Sequence, residues 1–107
     1  SMVDSSIMKP KVLILGVAYK AGIGDVRETP VAELRNHLVS KGAEIGWYDP
    51  LVSLWEGSNP VDIAWDCDVA ILATKQPGMD IELLLEKGIQ ILDCTNSISS
   101  QLGVVPL

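Results

Sequence analysis

From Lys11 to Ala18 the chain reads KVLILGVA, and no polar residue interrupts the apolar run after its first position. The run is short and rich in branched side chains, with Pro10 before it and a glycine-containing loop after it. That pattern marks a strand covered on both faces, as in a parallel sheet. The next segment, ETPVAELRNHLVSKG, changes period. Val31, Leu34, Leu38 and Val39 recur at helical spacing, with Thr29 as N-cap, Pro30 in the first turn and Gly42 at the C-terminal end. A second strand, AEIGWYDP, stops at Asp49-Pro50. The mixed stretch that follows predicts a short helix around Val61–Trp65. Val69–Thr74 then repeats the double-sided apolar strand pattern, DIELLLEKG predicts a short helix ending at Gly88, and IQILDCTN predicts a fourth strand. The tail from Ser97 carries no clear period and is left unassigned.

Strands alternating with helices through short connections imply right-handed crossovers and a parallel sheet. The expected fold class is therefore α/β, a three-layer Rossmann-like domain with helices on both faces of the sheet. In such sheets ligands gather beyond the carboxyl ends of the strands, where strand order reverses. The loop Gly16–Pro30 follows the first strand and lies at that edge.

A chain of 107 residues has room for one core. Residues 11–107 are expected to form one domain. Residues 1–10, which include VDSSIMKP, are set aside as a linker or an artificial junction. Hydrophobic residues make up 48% and charged residues 21%, as in ordinary soluble domains. Eight basic against fourteen acidic side chains leave a net charge of −6. That balance disfavours nonspecific attraction to nucleic acid or anionic lipid, so any phosphate site must be local. No stretch has the length of a membrane span, and the N-terminus has no secretory signal pattern. Cys67 and Cys94 form no CxxC pair, and His37 is the only histidine. A zinc site is thereby disfavoured, and both thiols are expected to be buried and free in a reducing cytoplasm.

The loop after the first strand holds the chemistry. Gly22 and Gly24 permit backbone angles closed to other residues. Lys20 supplies a mobile point charge for a phosphate oxygen, and Arg27 a planar fork for phosphate or carboxylate. The helix start adds unpaired amides. A dinucleotide fingerprint is incomplete: Gly22-x-Gly24 is present, but Arg27 stands at the third glycine position. Asp49 ends the second strand where a ribose-binding acid would stand, and it reads first as a plain turn starter. No Gly-Lys-Ser/Thr ending is present for a P-loop. A receiver-like signalling domain would need acids at the end of the first strand, where Ala18-Tyr19-Lys20 occurs, although Thr74-Lys75 fits it. His37 has no serine or cysteine placed to pair with it, and Asp66, Asp68, Asp80 and Glu82 read as solvated ends of elements.

The segment ILGVAYKAGIGDVRETPVAELRNHLVSKGAEIGWYDP resembles the C-terminal domain of the UDP-glucose/GDP-mannose dehydrogenase family. The resemblance rests on a strand ending Gly-x-Ala-aromatic-Lys, then Asp-x-Arg-Glu-Thr-Pro, Lys-Gly-Ala and Tyr-Asp-Pro, with CDVAILAT and ILDCTN following in order. It covers roughly Lys11 to Asn96. It implies an NAD-dependent oxidation of the C6 alcohol of a nucleotide-activated sugar to a carboxylate, on a route to polysaccharide precursors. Hydride transfer and the catalytic cysteine would belong to N-terminal and central domains, so Cys94 is not that thiol. The C-terminal domain would contact the nucleotide-sugar, with Tyr19 and Lys20 holding substrate. Arg27 would contact an NAD bound mainly by the N-terminal domain, and Asp25 would orient the loop or pair with Arg27. The implied partners are the nucleotide-sugar and the other domains of a homo-oligomeric cytoplasmic parent, with neither nucleic acid nor membrane. No catalytic residue and no metal ligand are implied in this chain, and the domain alone is expected to be inactive.

One departure is visible. Where the family commonly carries Asp-x-Arg-Asn after the last strand, this chain has Thr95 in place of the arginine. Losing that fork removes a charge-assisted hydrogen-bond pair, on the order of a few kcal/mol where buried. The resemblance thus leaves a paralogue with a changed sugar or nucleotide open. From the residues alone, a stand-alone nucleotide-binding module and a receiver-like domain remain the alternatives.

Overall fold

A computed structural model describes residues 9–18, 31–94 and 104–106 of the chain, the last group as a backbone strand. Among these residues, β1 (Lys11–Leu15), β2 (Glu44–Tyr48), β3 (Val69–Leu72), β4 (Gln90–Asp93) and β5 (Val104–Pro106) form one parallel sheet in the order β2-β1-β3-β4-β5. Among the described residues two helices accompany it, α1 (Val31–Ser40) between β1 and β2, and α2 (Ile81–Glu86) between β3 and β4. The expected α/β class with a parallel sheet and a helix on each face is what the structure shows.

Position in the sheet follows from the apolar pattern. β1 is flanked on both sides, pairing Leu13 with Gly46 of β2 and with Ala70 of β3. Alternate residues of β1 enter two separate cores. Leu13 and Leu15 join Ala70, Leu72 and Ile91 under Ile81 and Leu84 of α2. Ile14 joins Trp47, Val52 and Trp55 under Val31 of α1. A strand with no polar alternation is the only kind that suits this position, because both its faces are removed from water. β2 lies at the edge and begins with an exposed Glu44.

Both helices are too short to persist alone, so packing and end contacts hold them. α1 ends with Gly42 at φ +94°, its amide donating to the Val39 carbonyl and that of Ala43 to Leu38. α2 ends in the same way, with Gly88 at φ +79° donating to Leu85, and Ile89 to Leu84. These are Schellman endings, which satisfy carbonyls that the helix itself leaves open. At the other end of α2, Asp80 accepts from the Leu83 amide at 3.2 Å. The expected cap of α1, Thr29-Pro30, lies outside the described residues.

Local expectations change, and the third and fourth strands end early, at Leu72 and Asp93. The first strand stops at Leu15 instead of continuing to Ala18, because Gly16 turns the backbone to φ +83°. Val61–Trp65 is a turn, not a helix. The Asp62 carboxylate accepts from the Ala64 amide (2.8 Å), a side-chain bond that competes with helix formation. The segment instead lies along the sheet edge: the Val61 amide donates to the Trp47 carbonyl (2.8 Å), and the Trp65 ring sits over Gly46, where any Cβ would meet it at 2.9 Å. The unassigned tail supplies β5. Finally, Val39 is 53% exposed, so the buried stripe of α1 does not include it. It follows Leu38 by about 100° around the helix, too far to share a narrow contact face.

Two tryptophans meet where α1 faces the loop after β2. Trp47 and Trp55 stack edge to face with centroids 5.8 Å apart, and the Arg35 guanidinium lies 4.6 Å from the Trp55 ring centre. The backbone from Trp55 to Ser58 folds on itself with reciprocal hydrogen bonds, and Glu56 and Gly57 both have positive φ. That is the geometry of a two-residue primed turn.

Gly16 gives the sharpest stability prediction. A Cβ there would stand 2.0 Å from the Thr74 carbonyl oxygen, in a backbone conformation unfavourable to side chains. Strain of about 1–3 kcal/mol from each source is large against a typical domain stability of about 5–15 kcal/mol. Gly16→Ala is expected to lower the urea midpoint sharply or abolish folding, whereas Gly42→Ala should cost much less. Equal midpoints for the two variants would contradict this reading of the Gly16 turn.

Candidate functional site

The chain leaves β1 toward β2 on one side and returns past it to β3 on the other, so the strand order reverses between β1 and β3. The carboxyl ends of these strands form the edge at which α/β sheets collect ligands. Gly16–Ala18, Asp49 and Thr74–Gln76 meet there.

Asp49 is the centre of this edge. It follows β2 directly, and only 2% of its surface is exposed. Its Oδ2 accepts from the amides of Val17 (3.0 Å) and Ala18 (3.2 Å) and from the side-chain amide of Gln76 (3.1 Å). Its Oδ1 accepts from the Leu51 amide at 2.9 Å. A carboxylate removed from water must replace its hydration with donors, and here four N–H groups do so. Those amides need it in turn, because past Leu15 the backbone has left the strand ladder.

Residues after β3 complete the arrangement. Gln76 is fully buried and Thr74 is 8% exposed. The Thr74 hydroxyl donates to the Ala18 carbonyl at 3.1 Å. Ala18 is therefore held at both ends of its backbone, its N–H by Asp49 and its C=O by Thr74. The Gly16 amide donates to the Tyr48 carbonyl (2.8 Å), which extends the β1–β2 contact by one residue. The result is a fixed platform from which the loop toward α1 departs.

The structure sorts the residues singled out in the sequence. Tyr19, Lys20 and Arg27 lie outside the described residues, as do Gly22, Gly24, Asp25 and Thr95. Val17 and Ala18, the residues leading into Tyr19, are described and buried. Asp49 does start a turn, through Leu51, but its other contacts reach 27 to 32 positions along the chain. With both oxygens engaged inside the protein, it does not present a carboxylate to a ribose or to a phosphoryl donor. Thr74, which with Lys75 fits a receiver site in sequence, instead holds the Ala18 carbonyl. Nothing in the sequence points to Gln76, because a lone glutamine after an apolar strand offers no local signal of a buried partner. His37 is exposed, as are Asp66, Asp68, Asp80 and Glu82. Among the described residues no group of three or more His, Cys, Asp or Glu could hold a metal ion, and no helix is long and apolar enough to cross a membrane.

The cysteines part company. Cys67 is buried as expected, but Cys94 is exposed, because it stands just beyond β4 at the same carboxyl edge. Burial pushes the Cys67 thiol up, the positive charge of Lys87 opposing it and Asp66 and Asp68 adding to it. Partial desolvation, with the adjacent Asp93, also pushes the Cys94 thiol up. A raised thiol pKa means less thiolate near neutrality and slower alkylation.

A family model described as "UDP-glucose/GDP-mannose dehydrogenase family, UDP binding domain" matches residues 13–99. UDP-glucose 6-dehydrogenase 1 of Arabidopsis thaliana is 33% identical over 82 residues, covering 74% of this chain and 17% of that protein. GDP-mannose 6-dehydrogenase of Pseudomonas putida is 46% identical over 41 residues, 38% of this chain and 9% of that protein. The solved structure of a UDP-D-ManNAc dehydrogenase from Pyrococcus horikoshii superposes with a TM-score of 0.72 at 23% identity, over 97% of this chain and 27% of that one. The chain thus spans less than a third of the length of each of these proteins.

For the thiols, Ellman's reagent at pH 7 is expected to modify one cysteine, Cys94, slowly in the folded protein, and both after denaturation. The rate at Cys94 should keep rising with pH past the ordinary cysteine range of about 8.5. A plateau below pH 8 would show a thiol with an unshifted or lowered pKa.

Proposed function

The chain belongs to the UDP-glucose/GDP-mannose dehydrogenase family, and from that membership we propose that it is the nucleotide-sugar-binding domain of an NAD-dependent nucleotide-sugar 6-dehydrogenase. The supporting observation is the extent of the family match, which runs through residues 13–99 and includes the whole Gly16–Pro30 loop. The domain is taken as residues 11–107, with residues 1–10 as linker. The parent oxidises the C6 alcohol of a UDP- or GDP-sugar to the uronate in the cytoplasm, providing precursors for polysaccharides. Its N-terminal domain carries most of the NAD site, its catalytic cysteine lies outside this chain, and the parent is a homo-oligomer.

In this reading the loop after β1 faces an anionic ligand at a cleft shared with a neighbouring domain. Tyr19 and Lys20 hold the nucleotide-sugar, the lysine as a point charge on a phosphate oxygen. Arg27 reaches the NAD with its planar fork. A net charge of −6 makes such local cations the means of recruiting an anion, since the domain as a whole repels one. The NAD supplies the hydride acceptor when bound; this chain's part is to bind and orient the substrate. A contact made equally in ground and transition states appears in kinetics as a change in KM more than in kcat.

Three results are expected. In the full-length dehydrogenase, Lys20→Ala raises KM for the nucleotide-sugar by about tenfold or more, the scale of one lost charge-assisted contact. Arg27→Ala weakens NAD more than the nucleotide-sugar, and the reverse order would exchange the two assignments. The 107-residue chain alone reduces no NAD and binds UDP weakly by calorimetry; tight NAD binding by it would favour a self-contained nucleotide-binding module.

A further inference from the structure

We propose that Asp49, acting with Thr74 and Gln76, is a positioning residue for nucleotide-sugar binding: the three side chains fix the backbone exit of β1 from which Tyr19 and Lys20 continue. The inference rests on the reading of those two residues as substrate contacts. None of the three latch residues touches substrate in this role; they act through the main chain.

Three features of the latch point beyond mere satisfaction of buried donors. The first is its location. It binds the backbone at Val17 and Ala18, the last two residues before the substrate-binding pair. The second is its reach. The acceptor comes from the end of β2, while the Thr74 hydroxyl and the Gln76 amide come from the end of β3. The exit of β1 is thus referenced to both of its neighbours in the sheet. The third is its redundancy at one residue. Ala18 is held through its N–H and through its C=O, so the plane leading into Tyr19 cannot rotate without breaking a buried hydrogen bond.

The choice of groups supports the same role. Desolvating a carboxylate is expensive, and an apolar packing of the same volume would often be at least as stable. A satisfied polar network in a low-dielectric site instead selects one geometry over its near neighbours. That quality suits a mount for a binding residue, where a displacement of about 1 Å can weaken function by about a hundredfold. Gly16 contributes by closing the gap to Thr74. Any larger residue would drive the β3 end away, and with it the Thr74 hydroxyl.

The test uses the full-length dehydrogenase and whichever of UDP-glucose, UDP-N-acetylmannosamine and GDP-mannose it turns over. Asp49→Ala is expected to raise KM for that nucleotide-sugar about tenfold while kcat and KM for NAD stay within about twofold. Hydrogen exchange in the peptide containing Gly16–Ala18 should accelerate in the same variant. Asp49→Asn keeps one oxygen for the Val17 and Ala18 amides, so KM is expected to return to within about threefold of wild type. Gln76→Leu removes one donor without removing the acceptor and should raise KM about threefold. It also serves where Asp49→Ala does not fold.

Faster exchange at Gly16–Ala18 with an unchanged KM, in an enzyme where Lys20→Ala does raise KM, would overturn the positioning role while the substrate reading stands. An unchanged KM in Lys20→Ala would instead remove the substrate reading. A proportional fall in kcat and in folded enzyme, with Asn no better than Ala at position 49, would reduce Asp49 to a stabilising residue and overturn the proposal.

Discussion

The buried carboxylate of Asp49 is the constraint around which the carboxyl edge of the sheet is organised. The backbone of β1 must leave the sheet while still inside the protein, and its amides then lose their ladder partners. Buried amides away from bulk solvent need other acceptors, and here a side chain supplies them. An aspartate on the neighbouring strand has the reach and the acceptor capacity to do so, and it takes donors from Leu51 and Gln76 as well. Each group in the cluster would be costly without the others, so the cluster forms as a unit.

The rest of the architecture brings those groups together. Parallel pairing in the order β2-β1-β3 sets the carboxyl ends of three strands side by side. The two cores, one on each face of the sheet, hold β1 in register from both sides. Because side chains alternate along a strand, a shift of β1 by one residue would exchange its two buried sets. It would also move the amides of Val17 and Ala18 away from Asp49. Packing of Leu13 and Ile14 on opposite faces thereby determines polar geometry at the far end of the same strand.

The proposed function makes of this edge one part of a site. Among the described residues it presents a rigid frame of backbone and buried polar side chains, with no metal cluster. The cationic residues assigned to the ligand follow the frame along the chain, in the loop between β1 and α1. A frame with charges on an adjoining loop is economical for a domain that shares a cleft with another, since the neighbour supplies the remaining contacts. The length of the matched relatives, several times that of this chain, agrees with such a division of labour.

Much of the architecture was legible in the residues themselves. Uninterrupted apolar runs at Lys11–Ala18 and Val69–Thr74, a helical period after Pro30, and glycines at 42 and 88 are local signals. Each acts over at most a few positions, through a face that must be buried or a backbone angle that must be allowed. They determined the α/β class, the parallel sheet and both helix ends, and the Lys-loop-Asp-x-Arg segment pointed to the family. Tertiary structure alone decided which groups meet. Asp49 finds Val17, Ala18 and Gln76 about thirty positions away, Trp65 lies on Gly46 instead of entering a helix, the aperiodic tail supplies β5, and Cys94 remains exposed. Such meetings depend on strand order and register, which belong to the assembled sheet and leave no periodic trace in any single segment.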